Sequence, residues 1–353
     1  MEKIEKLRSA LSTANLDALI ITNPYNRRYI TNFTGTAGVA IVSMSDTRFI
    51  TDFRYTEQAN EQAVGFTIVE HKKGIVEEIN KQLNELNVSR VGFEKDDLTY
   101  ATYEIYNKTI DKELVPVSGI IEKLRLIKTS DEISILKDAA KIADDAYEHI
   151  QGFIKPGVKE IDVSNELEFF MRKQGATSSS FDIIVASGYR SALPHGVASD
   201  KKIESGELVT LDYGALYKGY CSDTTRTIAV GEINDELRNI YDTVLTAQLK
   251  GVEGIKPGIT GVEADALTRD YITEKGYGDY FGHSTGHGVG LEVHEGPSLS
   301  YKYEAKLEAG MVVTVEPGIY VPNVGGCRIE DDILVTESGY ERLTNATKEL
   351  IQL

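Results

Sequence analysis

Two stretches of this chain repeat one phrase. GFIKPGVKEIDVSNELEFFMRKQG (residues 152–175) and EGIKPGITGVEADALTRDYITEKG (253–276) align through their IKPG blocks and closing glycines, Gly175 and Gly276, at an offset of 101 residues. VTLDYG (209–214) and VTVEPG (313–318) follow at an offset of 104, both reading apolar, Thr, apolar, acid, any residue, Gly. Two blocks in one order at nearly one offset mark an internal duplication, and two copies make a pseudo-symmetric domain rather than a solenoid. Each half should run helix, Pro-Gly turn, helix, then strands ending in acids. Asp212 and Glu316 occupy the matching strand ends.

Residues 1–125 read as a separate, smaller α/β unit, and residues 126–353 as the duplicated domain. A helix over about 2–14 leads into the apolar run LDALIIT, and AGVAIVSM with TRFITD predicts a hairpin around Ser45-Asp46. FTIVEH and SRVGFEK flank a helical segment at 74–87, and this alternation argues for a covered sheet. TGTAG (34–38) has neither of the glycine spacings that cradle phosphates. Beyond the boundary, Thr129 and Glu132 have capping-box spacing, opening a long helix that must stop before Pro156-Gly157.

Composition removes several classes of function. With 38 Lys and Arg against 55 acids the net charge is −17, and no basic patch stands out, so nucleic acid is not an expected partner. No run approaches the roughly 18 apolar residues of a membrane span, and the N-terminus lacks the apolar core of a signal peptide. Two cysteines, Cys221 and Cys327, are too few for a disulfide framework and read as buried thiols. The expected location is the cytoplasm.

The acids are placed by hairpin arithmetic. In LVTLDYGALYKGYCSDTTRTIAV a two-residue turn at Lys218-Gly219 makes opposed positions sum to 437, so Asp212 faces Thr225 and Asp223 is its diagonal neighbour on one face. A turn at Tyr217-Lys218 would instead set the two acids directly opposite; either register converges them. In VVTVEPGIYVPNVGGCRIEDDILV a hairpin centred on Asn323 sets Glu316 opposite Glu330. Like charges side by side in a sheet are destabilising, so cations should sit between them. FGHSTGHGVGLEVHEGP (281–297) adds His283, His287 and His294, three of the six histidines, on a glycine-rich turn and strand that cannot be a helical zinc pair. Four carboxylates and an imidazole suit Mn²⁺, with Co²⁺, Fe²⁺ or Zn²⁺ as alternatives, and can hold two ions about 3.5–4 Å apart. The chemistry expected of such a pair is hydrolysis of an amide or ester by a metal-bridging hydroxide.

LDYGALYKGYCSDTTRT, FGHSTGHGVGLEVHEGP, TVEPGIY and RIEDD, in that order across about 128–350, resemble the pita-bread metallopeptidases. That group includes methionine aminopeptidase, aminopeptidase P, prolidase and the metal-free creatinase. The resemblance implies an α+β fold: a C-terminal pita-bread domain with an internal pseudo-two-fold repeat, preceded by a smaller creatinase-like α/β domain. It implies metal ligation by Asp212, Asp223, His287, Glu316 and Glu330, with Asp223 and Glu330 bridging and Glu316 also shuttling a proton. It implies that His283 and His294 contact substrate and stabilise the tetrahedral intermediate, and that His195 closes over the scissile bond. Arg328, two residues before Glu330 and so on its face, can offset the excess negative charge and joins His195, His283 and His294 as an expected substrate-binding residue.

The N-terminal unit argues for the Xaa-Pro branch, whose members cut between residue one and a following proline in short peptides, and for a homodimer. Prolidases of the group often carry an arginine on the loop after VHE that pairs with a dipeptide's carboxylate; here that loop reads GPSLS, with Ser298 in its place. The departure weakens strict dipeptide specificity. Other activities on the scaffold, as a lyase, an amidinohydrolase or a non-catalytic binding protein, remain as alternatives. The intact ligand set argues against them.

Overall fold

In a computed structural model, which describes residues 2–353, the chain divides into two compact units, one ending at Arg125 and the other spanning Leu126–Leu353. The first is built on six strands: β1 (Ala18–Ile21), β2 (Val39–Ser43), β3 (Thr47–Thr51), β4 (Thr67–Glu70), β5 (Arg90–Glu94) and β6 (Glu113–Val117). Their order is β4-β3-β2-β1-β5-β6. The β2/β3 hairpin pairs Val42 with Thr47, which leaves the turn at 43–46 as its sequence requires. The apolar runs are buried because helices, among them Glu2–Thr13 and Ile75–Glu85, supply Leu7, Leu11, Ile79 and Leu83 against them.

Glu94, at the end of β5, gathers this unit. Its Oε2 accepts the backbone N–H groups of Thr22 and Asn23, both at 2.7 Å, and its Oε1 accepts Asn26 Nδ2 at 2.7 Å. Asn23 in turn caps the helix Pro24–Thr31. Burial, aided by the nearby Glu122, pushes the Glu94 carboxyl up to about 7 despite these donors. A raised carboxyl pKa favours the folded state while the proton is held. That contribution is complete below the ordinary value of 4.5 and is lost as pH rises towards 7. The window is worth about 3 kcal/mol. Urea unfolding of wild type and Glu94→Gln across this range should show the wild type losing ground by about that amount relative to the variant. A constant difference would remove Glu94 as the titrating group.

The second unit shows the duplication in space. Helices Ser130–Gln151 and Glu160–Lys173 precede one sheet, and Asp235–Gly254 and Gly261–Glu274 precede the other. The expected capping box at Thr129 and Glu132 is formed, and the second half repeats the device at Thr260 and Glu263. The first sheet orders Thr224–Val230, Glu207–Tyr213 and Ile184–Ser187. The second contains Asp331–Val335, Val312–Val315 and Gly286–Gly288 in the same relation, extended by Tyr340–Arg342 and Glu295–Leu299. Strand alternation sorts the side chains. Val209, Leu211 and Tyr213 pack with Ala143, Tyr147 and Leu167, while Val313, Val315, Ile333 and Val335 pack with Val252 and Ala264. The opposite faces carry Asp212 and Thr225 in one half, and Thr314 and Glu316 in the other.

Candidate metal centre

Both hairpins have the registers their sequences predict. Asp212 pairs with Thr225, and the ladder runs on through Tyr217 and Tyr220. The turn is Lys218-Gly219, both at positive φ (46° and 84°), the conformation that matches strand twist in a two-residue hairpin. In the second half Val315 pairs with Asp331 and Gly318 with Arg328, one register on either side of Glu316 and Glu330, which therefore stand opposite each other. Gly286, in the histidine strand, is required by proximity: a Cβ there would collide with the Thr314 carbonyl.

These elements bring donor atoms of Asp223, His287 and Glu330 within 4.8 Å of one another. His287 Nε2 lies 3.2 Å from Glu316 Oε1 and 3.6 Å from Asp223 Oδ2. His287 Nδ1 is 3.0 Å from the Gly288 carbonyl, which can only accept, so Nδ1 donates and Nε2 is turned toward the carboxylates. Asp212, on the hairpin that also carries Asp223, lines the same cavity, with Oδ2 held at 2.5 Å by Arg328 Nη2. Glu330 Oε2 accepts Thr225 Oγ1 at 2.7 Å, and Glu316 Oε1 accepts Thr314 Oγ1 at 3.3 Å.

The electrostatics identify what this cluster needs. Burial and then the neighbouring Glu330 hold the Asp223 carboxyl well above its ordinary range; burial and then Glu316 do the same to Glu330. Burial also raises Asp212 against the pull of Arg328. Burial pushes Glu316 upward too, but the hydrogen bond and charge of His287 outweigh it and leave Glu316 at about 2. Asp212 Oδ1 and Glu330 Oε1 are buried with no hydrogen-bond partner, an arrangement that is costly unless a cation fills it. The hard oxygen-rich donor set, the orphaned lone pairs and the excess negative charge fit a pair of divalent cations.

A cavity of about 570 Å³ opens over the cluster, a volume suited to a short peptide. His195, His283 and His294 line it, together with Phe181, Val197 and Val293. His294 packs edge-on against His287 at 4.3 Å between ring centroids. His283 Nδ1 lies 2.8 Å from the Ser284 carbonyl and so donates to it; its Nε2 then accepts Tyr320 Oη at 2.8 Å. Tyr320 Oη also accepts Arg328 Nη1 at 2.8 Å. Burial, the dominant influence, lowers His283. The result is a relay from Arg328 through Tyr320 to His283 at the cavity wall.

Four participants escape the reading of motifs. Tyr320 could have been found by strand parity, since Glu316, Gly318 and Tyr320 alternate on one face. Hairpin register places Thr225 opposite Asp212, but nothing local shows that it donates to Glu330. Thr314 has no signal beyond its place in the repeated VTxE phrase. Asp332 reads as the second half of an acidic pair; in the structure burial pushes it up to about 8, and its Oδ2 accepts the Asp223 backbone N–H at 2.9 Å.

Similarity to known proteins agrees in extent with both units. Residues 134–337 match metallopeptidase family M24, and residues 3–127 match the creatinase/prolidase N-terminal domain. An uncharacterized peptidase of Bacillus subtilis is 61% identical over 352 residues, covering 99% of this chain and 100% of the relative. A Xaa-Pro dipeptidase of Pyrococcus horikoshii is 45% identical over 353 residues, with 99% of each covered. The solved structure of a Xaa-Pro dipeptidase from Bacillus anthracis is 66% identical and superposes with a TM-score of 0.99 over 100% of this chain and 99% of that one.

Proposed function

The chain belongs to metallopeptidase family M24, and from that premise we propose that it hydrolyses the bond between an N-terminal residue and a following proline in short peptides, using two manganese ions. The observation that carries this reading is the convergence of Asp223, His287 and Glu330 within 4.8 Å, with Glu316 beside His287, under a cavity of peptide size. Relatives named Xaa-Pro dipeptidase over nearly their full length support the substrate class, and favour it over a lyase, amidinohydrolase or purely binding role.

Asp212, Asp223, His287, Glu316 and Glu330 would hold the ions, which when bound supply Lewis acidity toward the scissile carbonyl and lower the pKa of a water. The remaining work belongs to side chains. Glu316 accepts the proton of the attacking water and delivers it to the proline nitrogen, the leaving group. His294 donates to the oxygen on which negative charge develops, while His283, whose Nδ1 donates to the Ser284 carbonyl and whose Nε2 accepts Tyr320 Oη, lines the cavity beside it. His195 and the apolar wall restrict access of bulk water. Arg328, donating to Asp212, Tyr320, the Pro194 carbonyl and Thr225, keeps Asp212 oriented rather than binding substrate directly.

That commitment bears on substrate length. Among the described residues lining the cavity no lysine occurs, and Ser298 stands opposite His287. A dipeptide's C-terminal carboxylate therefore meets no dedicated cation, and chain extension should be tolerated. Ala-Pro and Ala-Pro-Ala should be cut with kcat/KM values within about tenfold of each other, a gap of about 1.4 kcal/mol. Cleavage of the dipeptide alone would overturn this breadth while leaving the Xaa-Pro activity in place. On the resemblance, the active form is a cytoplasmic homodimer, and light scattering of the purified protein should return about twice the chain mass. Among the described residues no helix is long and apolar enough to cross a membrane.

A further inference from the structure

Asp223 immediately precedes the strand Thr224–Val230, and Glu330 immediately precedes Asp331–Val335. These strands belong to different sheets, so no ladder between them sets how far apart the two carboxylates stand. What joins them is a set of buried cross-links running both ways. Arg226, three residues after Asp223, donates through Nη1 to the backbone carbonyl of Glu330. Asp332, two residues after Glu330, accepts the backbone N–H of Asp223 at 2.9 Å. The Glu330 N–H closes the link by donating to the Thr225 carbonyl at 3.1 Å.

We propose that Arg226 and Asp332 are positioning residues forming a reciprocal clamp, each anchoring the other half's ligand, and that this clamp sets the separation of Asp223 and Glu330. The inference rests on the reading of these two acids as the pair that bridges the metals. Each arm is itself held. Arg226 is 1% exposed, and its Nη2 donates to Asp331 Oδ1 at 2.8 Å and to the Ala346 carbonyl at 2.9 Å. Asp331 Oδ2 accepts Lys348 Nζ at 2.5 Å and Gln248 Nε2 at 3.0 Å, which fixes the guanidinium's partner. Asp332 is 1% exposed, and its backbone N–H donates to Thr344 Oγ1 at 3.0 Å. Asp332 Oδ1 is buried without a hydrogen-bond partner, while its Oδ2 is held by the Asp223 N–H. A fork-shaped guanidinium spans the Glu330 carbonyl and Asp331 together, which a lysine ammonium cannot do.

The test is calorimetric titration with Mn²⁺, with electron paramagnetic resonance of the loaded protein. Asp332→Ala should weaken the second Mn²⁺ by roughly 10–100-fold and remove the exchange-coupled signal of a close pair. Asp332→Asn, which keeps an acceptor oxygen for the Asp223 N–H, should restore both. Arg226→Lys should behave like Asp332→Ala, and decides the matter should the alanine variant fail to fold. A role confined to stability predicts a lower melting temperature with two Mn²⁺ bound at wild-type affinity and the coupled signal unchanged, and that result overturns the clamp. Wild-type protein that takes up no coupled pair overturns instead the dinuclear reading beneath it.

Discussion

Exhaustive chelation of the purified protein should abolish cleavage of Ala-Pro, a loss of about 10³-fold or more, and added Mn²⁺ should restore it. The expectation follows from charge. Two sequence-distant hairpins converge four carboxylates, three of them buried, and burial with mutual repulsion already holds Asp223 and Glu330 above their ordinary range. Arg328 is tied to Asp212 and cannot neutralise the rest. Without cations the cluster holds protons in place of Lewis acids, and nothing else in the cavity can polarise a peptide carbonyl strongly. Stability should move with activity: a ligand at about 1,000 times its Kd contributes about 4 kcal/mol at one site, so the metal-free protein should melt lower. Full turnover in protein verified to be metal-free would sink the mechanism.

Replacing Glu316 is the second large effect. Glu316→Ala should lower kcat by about 10³-fold, within the range general acid–base catalysis supplies. Two functions are lost in that variant, and Glu316→Gln separates them. The amide keeps an oxygen that can ligate, but it cannot take a proton from water and pass it to the leaving nitrogen. Its kcat should therefore fall nearly as far as alanine's while metal content stays close to two ions per chain. Asp212, the matching residue of the other half, should behave differently: Asp212→Asn loses metal affinity first, because its carboxylate is oriented by Arg328 at 2.5 Å and has no proton to move. A Glu316→Gln enzyme with a normal rate would strip Glu316 of its catalytic part.

Much of the site was legible before any coordinates. The hairpin around Lys218-Gly219 and the one centred on Asn323 both have their expected registers, because register follows from turn chemistry and a period of two. The capping box at Thr129 was equally local. Its counterpart at Thr260 and Glu263 lay in the second copy of the repeat and could have been read from it. Tyr320 was available from strand parity alone. Arg328 was expected as a general counter-charge; that its partner is Asp212, 116 residues away, is a fact of tertiary packing.

The sequence by itself determined the duplication, the strands on which each acid rides and the face to which each acid points, since all of these depend on neighbours within one hairpin. Only the tertiary structure decided how the two halves meet. Asp223 and Glu330 immediately precede strands of different sheets, and no periodicity in either strand encodes the gap between them. That gap depends on a buried guanidinium, a buried carboxylate and a few backbone groups more than 100 positions apart. In the sequence Arg226 and Asp332 look like ordinary charged residues beside a motif. They act only once folding has removed water from around them, when a charged hydrogen bond becomes strong and a missing one costly.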